Sequence, residues 1–363
     1  MSRPIIIAYY LPQYHPTPDN DIWWGKGFTE WTNVGKARPL FHHHYQPKVP
    51  ADLGYYDLRL PEVREQQVTL AKEAGVNGFC YYHYWFGNGR QVLERPFNEV
   101  IESGKPDFPF CLCWANESWH SKFWNVDGTV KKKLLVEQTY PGDKDIVQHF
   151  ENLLPAFKDN RYIKVNGKPV FVIYQPTAYE TVNHFIEMWH KLAKKHGLSG
   201  IYFIGHVAAH VNQTHINQIK NLGFDAVNVV RMGDASSFNH RFARALRYLR
   251  QRLLKQPHLI PYKKIYPELI GEEENRPDVF PTLIPNWDHS PRSKRAALVL
   301  TNSTPELFQK HVQQVLDVVK DKSDNNIVFL KSWNEWGEGN YMEPDLKYGH
   351  GYINALKKAL EKL

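Results

Sequence analysis

Eight short apolar runs, five or six residues each, are spread along the chain and separated by segments with helical periodicity. They are Ile5–Tyr10, Gly78–Tyr82, Phe110–Trp114, Pro169–Tyr174, Ile201–Gly205, Ala226–Val230, Phe280–Pro285 and Ile327–Ser332. Runs of this kind read as strands. Between them, Pro61 opens a helix with Val63, Leu70, Ala71 and Ala74 on one face, ended by Gly75. Val182, Phe185, Ile186, Trp189, Leu192 and Ala193 keep a 3.6-residue period until Gly197. Thr304 caps a third helix with Pro305 at its first position, and a last helix buries Tyr352, Leu356, Leu360 and Leu363. Eight strands alternating with helices over 363 residues predict an α/β fold, a (β/α)8 barrel, rather than an open sheet. Residues 1–363 are expected to form one barrel unit with insertions.

In such a barrel the C-terminal ends of the strands carry the active site. Where the runs stop, aromatic and polar residues accumulate: Tyr9, Tyr10 and His15; Tyr82 and His83; Trp114, Asn116 and Glu117; Tyr174; His206; Arg231; Asn286, Trp287 and Asp288; Trp333, Asn334 and Trp336. A purely structural barrel has no reason to load one rim in this way. Trp114, Trp287 and Trp333 are candidate platforms for sugar rings, with Asn116, Glu117, Asn286 and Asp288 bonding hydroxyls.

After the last run, Glu335 and Glu338 stand three residues apart within Ser332–Gly339. Strand geometry would point them to opposite faces, but Gly337 and Gly339 let the backbone bend so that both converge. Two carboxylates held close in an aromatic pocket suit acid/base or nucleophilic attack on a glycosidic bond. The competing reading is a loop with two solvated glutamates, and the interleaved Trp333 and Trp336 favour the functional one. The pair can divide the work only if one carboxyl is desolvated and holds a proton while the other stays ionised, assisted by Asn334 or backbone amides. Retaining pairs sit roughly 5–5.5 Å apart and inverting pairs about 6.5–9.5 Å.

Composition sets the surroundings. Eleven Trp, 20 Tyr and 19 Phe exceed what a core requires and suit stacking on sugar faces. The chain opens without a secretory signal and has no apolar run long enough for a membrane span, so a cytoplasmic location is expected. Cys80, Cys111 and Cys113 lie in strand-like runs and read as reduced core thiols; Cys111-Leu112-Cys113 is too tight for zinc. His42-His43-His44 reads as a loop feature. Neither a metal nor a cofactor is expected.

Two insertions are long. Residues 11–60 carry Pro12, Pro16, Trp23, Trp24, Trp31 and Pro47 and read as an ordered, lid-like aromatic loop. Residues 231–279 hold eight Lys and Arg between Asp234 and Glu268 and no acid, enough to account for the chain's +7. Arg241, Arg244, Arg247 and Arg250 lie opposite Phe242, Ala245, Leu246, Leu249 and Leu253, an amphipathic basic helix. It reads either as a solvated face or as a peripheral contact, through Arg241–Lys264, with an anionic membrane at its inner face or a lipid-linked glycan. Nucleic acid is not expected, since no recognised module accompanies the patch.

The strings Tyr9-Tyr10-Leu11-Pro12-Gln13-Tyr14-His15, Trp23-Trp24-Gly25-Lys26-Gly27-Phe28-Thr29-Glu30-Trp31, Tyr81-Tyr82-His83-Tyr84-Trp85, Trp114-Ala115-Asn116-Glu117 and Trp333-Asn334-Glu335-Trp336-Gly337-Glu338 resemble the WbsX-like family. These proteins accompany bacterial O-antigen, lipopolysaccharide and capsule biosynthesis and are usually described as glycosyltransferases. The group is in turn similar to glycoside hydrolase family 99, endo-α-mannosidase and mannanase barrels with an active loop of pattern Glu-Trp-His-Glu. Here Gly337 replaces the histidine. The resemblance implies that Glu335 acts as base on the substrate's 2-hydroxyl, which closes a 1,2-anhydro sugar, while Glu338 protonates the leaving oxygen and then activates water. A retaining hydrolase of a bacterial surface polysaccharide is the leading expectation. Its rivals are nucleotide-sugar-dependent transfer, transglycosylation on the same glutamates, and non-catalytic glycan binding. Asp19-Asn20-Asp21 matches a metal-binding Asp-x-Asp string, but no Gly-rich phosphate loop accompanies it.

Overall fold

The computed structural model describes residues 3–124, 130–237, 253, 256–322 and 326–363. Its centre is a barrel of parallel strands: β1 (Ile5–Tyr10), β2 (Gly78–His83), β3 (Phe110–Trp114), β4 (Lys168–Ile173), β5 (Tyr202–Val207), β6 (Ala226–Val229), β7 (Val279–Phe280), β8 (Thr282–Leu283) and β9 (Ile327–Leu330). Neighbours pair in chain order from β1 to β7, β8 pairs β9, and β9 closes onto β1 with Ile5 beside Ile327 and Ala8 beside Leu330. The fold is thus a (β/α)8 barrel whose seventh stave is split.

The split has a local cause. The run expected over Phe280–Pro285 contains Pro281, which has no N–H to give to a ladder. Val279 and Phe280 pair with β6, then Thr282 and Leu283 pair with β9, while the Pro281 carbonyl accepts from the Phe329 amide at 2.9 Å. The partner changes where the chain cannot donate anyway.

Helices alternate with the staves on the outside. Pro61–Ala74 ends at Gly75, whose φ of 85° lies in the left-handed region that glycine adopts without strain. Val182–Lys195 buries Phe185, Ile186, Trp189 and Ala193 against the sheet. Pro305–Val319 starts from Thr304, whose hydroxyl accepts from the Leu307 amide. Asp143–Lys158 follows β3 after an antiparallel hairpin, Trp119–Trp124 with Val130–Val136. Strand alternation divides the side chains between the barrel interior and the helical layer. Tyr9 points inward and stacks on Tyr82 and Phe329, whereas Tyr10 points outward and donates to Gln67 of the first outer helix. All three cysteines are buried, free thiols.

Residues 11–60 contain two short helices, Pro18–Trp24 and Glu30–Lys36, and lie against the C-terminal mouth of the barrel. Within 231–279, the described part forms a small apolar cluster of Met232, Tyr262, Ile265 and Leu269 with Ile284 and Leu300. The helix expected over Arg241, Arg244, Arg247 and Arg250 lies outside the described residues. Among the described residues, no helix is long and apolar enough to cross a membrane.

Candidate active site

Beyond β9 the chain forms a tight hairpin across the mouth. Asn334 and Glu335 pair antiparallel with Tyr341 and Asn340, joined by the turn Trp336–Glu338 and by Gly339 at φ 57°. The hairpin is pinned from several sides. The Asn334 side-chain amide brackets Leu11, accepting from its N–H at 2.8 Å and donating to its carbonyl at 3.0 Å. The Tyr14 hydroxyl donates to the Asn334 carbonyl at 2.6 Å and accepts from the Trp336 amide at 3.0 Å. Trp336 stacks on Tyr341 with centroids 3.8 Å apart.

The bend brings Glu335 and Glu338 to one side. A single guanidinium nitrogen, Arg292 Nη1, donates to Glu338 Oε1 at 2.7 Å and Glu335 Oε1 at 3.1 Å. Those oxygens therefore lie at most about 6 Å apart, closer than the roughly 6.5–9.5 Å of inverting pairs. Arg292 Nε donates at 2.8 Å to a third carboxylate, Glu30. His289 Nε2 lies 3.4 Å from Glu338, and the buried ammonium of Lys331 lies 4.0 Å from Glu335 and over the Trp287 ring.

These neighbours separate the two acids. Burial and the charge of Glu338 push the Glu335 carboxyl up, against the opposing pull of Lys331 and Arg292. Burial also acts to raise Glu338, but Arg292 and the contact with His289 outweigh it and hold that carboxyl well below the usual carboxylate range. Glu335 is the member that favours a proton and Glu338 the member that resists one. This polarity is opposite to the roles that the family resemblance implies.

Both glutamates line a cavity of about 670 Å3 at the barrel mouth. Of the residues singled out at the strand ends, it also collects Tyr82, Glu117, Tyr174, His206 and Trp287. Tyr174 stacks on His206 at 4.5 Å, and burial pushes the His206 imidazole down to about 3, leaving a neutral ring with hydrogen-bonding nitrogens. Trp24 and Phe28 from the first insertion, whose rings pack together, and Trp119 from the hairpin after β3 also line the cavity.

The remaining strand-end candidates are not among the lining residues. Tyr9 donates to Asn228 inside the barrel, and Tyr10 faces the outer helices. His83 meets His149 at 2.8 Å in the helical layer, and Trp114 donates there to the Trp85 carbonyl. His15 is buried near Asp57 and Arg59, burial pushing its imidazole down to about 4. Asn116 ties Gln175 to its own loop through both ends of its amide, and Asn286 accepts from Lys48. Asp288 is enclosed by His44, Gln46 and the Ser290 amide. Trp333, Asn334 and Trp336 are fully buried in the base of the hairpin. Asp19 pairs with Arg90 of the loop after β2, and Asp21 accepts from the Gly27 amide, so both acids of the Asp-x-Asp string are engaged in holding loops.

Sequence reasoning missed Arg292, Glu30, His289, Lys331, Trp24, Phe28 and Trp119. Glu30 and Arg292 are 262 positions apart, and no local pattern links them. Only the aromatic crowding around Trp23, Trp24 and Trp31 carried a signal.

The family described as "Glycosyltransferase WbsX" matches residues 6–356. The uncharacterized protein WxcX of two Xanthomonas campestris pv. campestris strains is 31% identical over 98% of this chain, and the chain spans half the length of those relatives. Among solved structures, a family 99 endo-α-mannosidase from Bacteroides thetaiotaomicron, in complex with bis-tris-propane, is similar in fold with a TM-score of 0.60. It is 12% identical, covering 99% of this chain and 96% of that one. A glycoside hydrolase-like protein gives a TM-score of 0.62 at 15% identity, covering 99% and 94%. With the family match running almost from end to end, this chain belongs to the WbsX glycosyltransferase family.

Proposed function

We propose that this protein is a carbohydrate-active enzyme that makes or breaks glycosidic bonds of a bacterial surface polysaccharide, with Glu335 and Glu338 as its acid/base pair. One observation carries the reading: two carboxylates share a single guanidinium nitrogen in an aromatic cavity, and their environments push their proton affinities apart. That is how one carboxyl gives a proton while its neighbour takes one. The electrostatics support Glu338 as the base on the 2-hydroxyl and Glu335 as the proton donor to the leaving oxygen. The 2-oxygen then attacks the anomeric carbon as the glycosidic bond breaks, forming a 1,2-anhydro sugar. Water opening that ring gives hydrolysis, and a sugar hydroxyl gives transfer, both with overall retention. The family's description favours transfer, and this route needs no nucleotide.

The test uses polysaccharide from the host strain, with and without nucleotide sugars. Wild-type protein should change the polymer without nucleotide sugar, with the anomeric configuration retained in the first-formed product by NMR. Glu335→Gln and Glu338→Gln should each lose roughly 10²–10⁴-fold in kcat. On a glycoside with an activated aryl leaving group, Glu335→Gln should recover and Glu338→Gln should not. The reverse pattern would restore the roles implied by the resemblance. Full activity in both variants, or turnover only with nucleotide sugars, would overturn the proposal.

A further inference from the structure

We propose that Glu30, contributed by the insertion after β1, is a positioning residue that seats Arg292 across Glu335 and Glu338, and that position 337 is glycine because Glu30 fills the space a side chain there would need. The functional consequence rests on reading Glu335 and Glu338 as an acid/base pair; the geometry does not.

Glu30 opens the Glu30–Lys36 helix, and its amide donates to the Gln13 carbonyl at 3.0 Å. Only 2% of the residue is exposed. Its Oε1 accepts from Arg292 Nε at 2.8 Å and from Asn33 Nδ2 at 3.1 Å. A guanidinium is planar, so holding its Nε edge also fixes where Nη1 points. Nη1 is the atom that reaches both candidate catalytic carboxylates. Glu30 therefore bears on the pair through Arg292.

Gly337 supplies the second, independent observation. A Cβ added there would fall 2.0 Å from Glu30 Oε1, 2.7 Å from its Cδ and 3.0 Å from Arg292 Nε. The φ of Gly337 is not in the left-handed region, unlike that of Gly339, so backbone conformation does not demand a glycine. Space does. Position 337 carries no side chain, and a carboxylate from a distant segment takes up the volume.

Two readouts test the proposal. Glu30→Ala should lower kcat at least tenfold with KM within about threefold, because Arg292 loses its aim while the sugar-contacting walls stay. Formate, which can occupy the vacated carboxylate position, should recover part of that kcat, a recovery that a general folding defect would not show. Glu30→Gln keeps the volume and removes the charge, and it serves if Glu30→Ala does not fold. The steric arm is a double-mutant cycle: Gly337→Ala should lower the melting temperature and activity in the wild-type background, and much less beside Glu30→Ala. Additive effects of the two substitutions, or unchanged kcat in both Glu30 variants, would overturn the inference. If Glu335→Gln and Glu338→Gln prove fully active, the acid/base reading falls, while the melting-temperature coupling of positions 30 and 337 still decides the geometry.

Discussion

Buried acids gather on two sides of the hairpin over 334–341, and the two sides treat them oppositely. On the cavity side, Glu335, Glu338 and Glu30 gather around one guanidinium. Beneath, Glu343 is enclosed by neutral donors: Trp336 Nε1 at 2.6 Å, Gln67 Nε2 at 2.6 Å and the Tyr56 hydroxyl at 3.0 Å. Burial pushes Glu343 up to about 7 despite those hydrogen bonds, whereas Glu338, buried beside Arg292, is held far down. At Glu343 three hydrogen bonds from neutral groups do not offset desolvation, whereas at Glu338 the neighbouring cation does. The Glu343 side uses its carboxyl to hold Trp336 in place; the cavity side uses a cation to set which acid keeps its proton.

The comparison can be broken most decisively at Arg292. Arg292→Met should cost roughly 10²–10³-fold in kcat/KM. It should also move the acidic limb of the pH–rate profile upward, since Glu338, still facing Glu335, His289, Lys331 and Tyr174, loses the charge that keeps it ionised. Unchanged activity would remove the distinction between the sides. Next in size, Glu343→Ala should leave three donors without a partner, at about 1–3 kcal/mol for each buried unsatisfied group. The melting temperature should fall by roughly 5–10 °C, with activity per folded molecule less affected than in the Arg292 variant.

A smaller effect sharpens the contrast through pH. The Glu343 carboxyl binds its proton more tightly in the folded chain, at about 7, than at its ordinary value of 4.5. Its contribution to stability is therefore complete below about 4.5 and is lost as pH rises through 7. The melting-temperature advantage of wild type over Glu343→Gln should shrink across that window, and a flat difference would contradict the assignment. The smallest effect is expected away from both sides. Arg59 and Asp57 form an ion pair with side chains 40% and 28% exposed, so Arg59→Ala should change stability by no more than about 1 kcal/mol.

How far the sequence could be read follows from what is local. β1 and β3 match their apolar runs residue for residue, because no proline or charge interrupts them. The seventh run reads as one strand and folds as two because Pro281 changes its partner. Glu335 and Glu338 were legible because three residues and two glycines decide their convergence. The rim was only half legible, because each strand end offers one residue inward and the next outward. Tyr82 reaches the cavity while its neighbour His83 joins the helices. Arg292 and Glu30 meet only through the closure of the barrel, so no window along the chain contains their relation.

The shared guanidinium means that the carboxyl pair arrives with its positive counter-charge already installed. An amine-bearing ring mimic gains affinity by meeting acids that lack such a partner, and here it would have to compete with a fixed cation for the same oxygens. On the proposed acid/base reading, neutral electrophilic sugars, which ask the pair for a proton rather than for charge, are accordingly the better starting point for inhibitors.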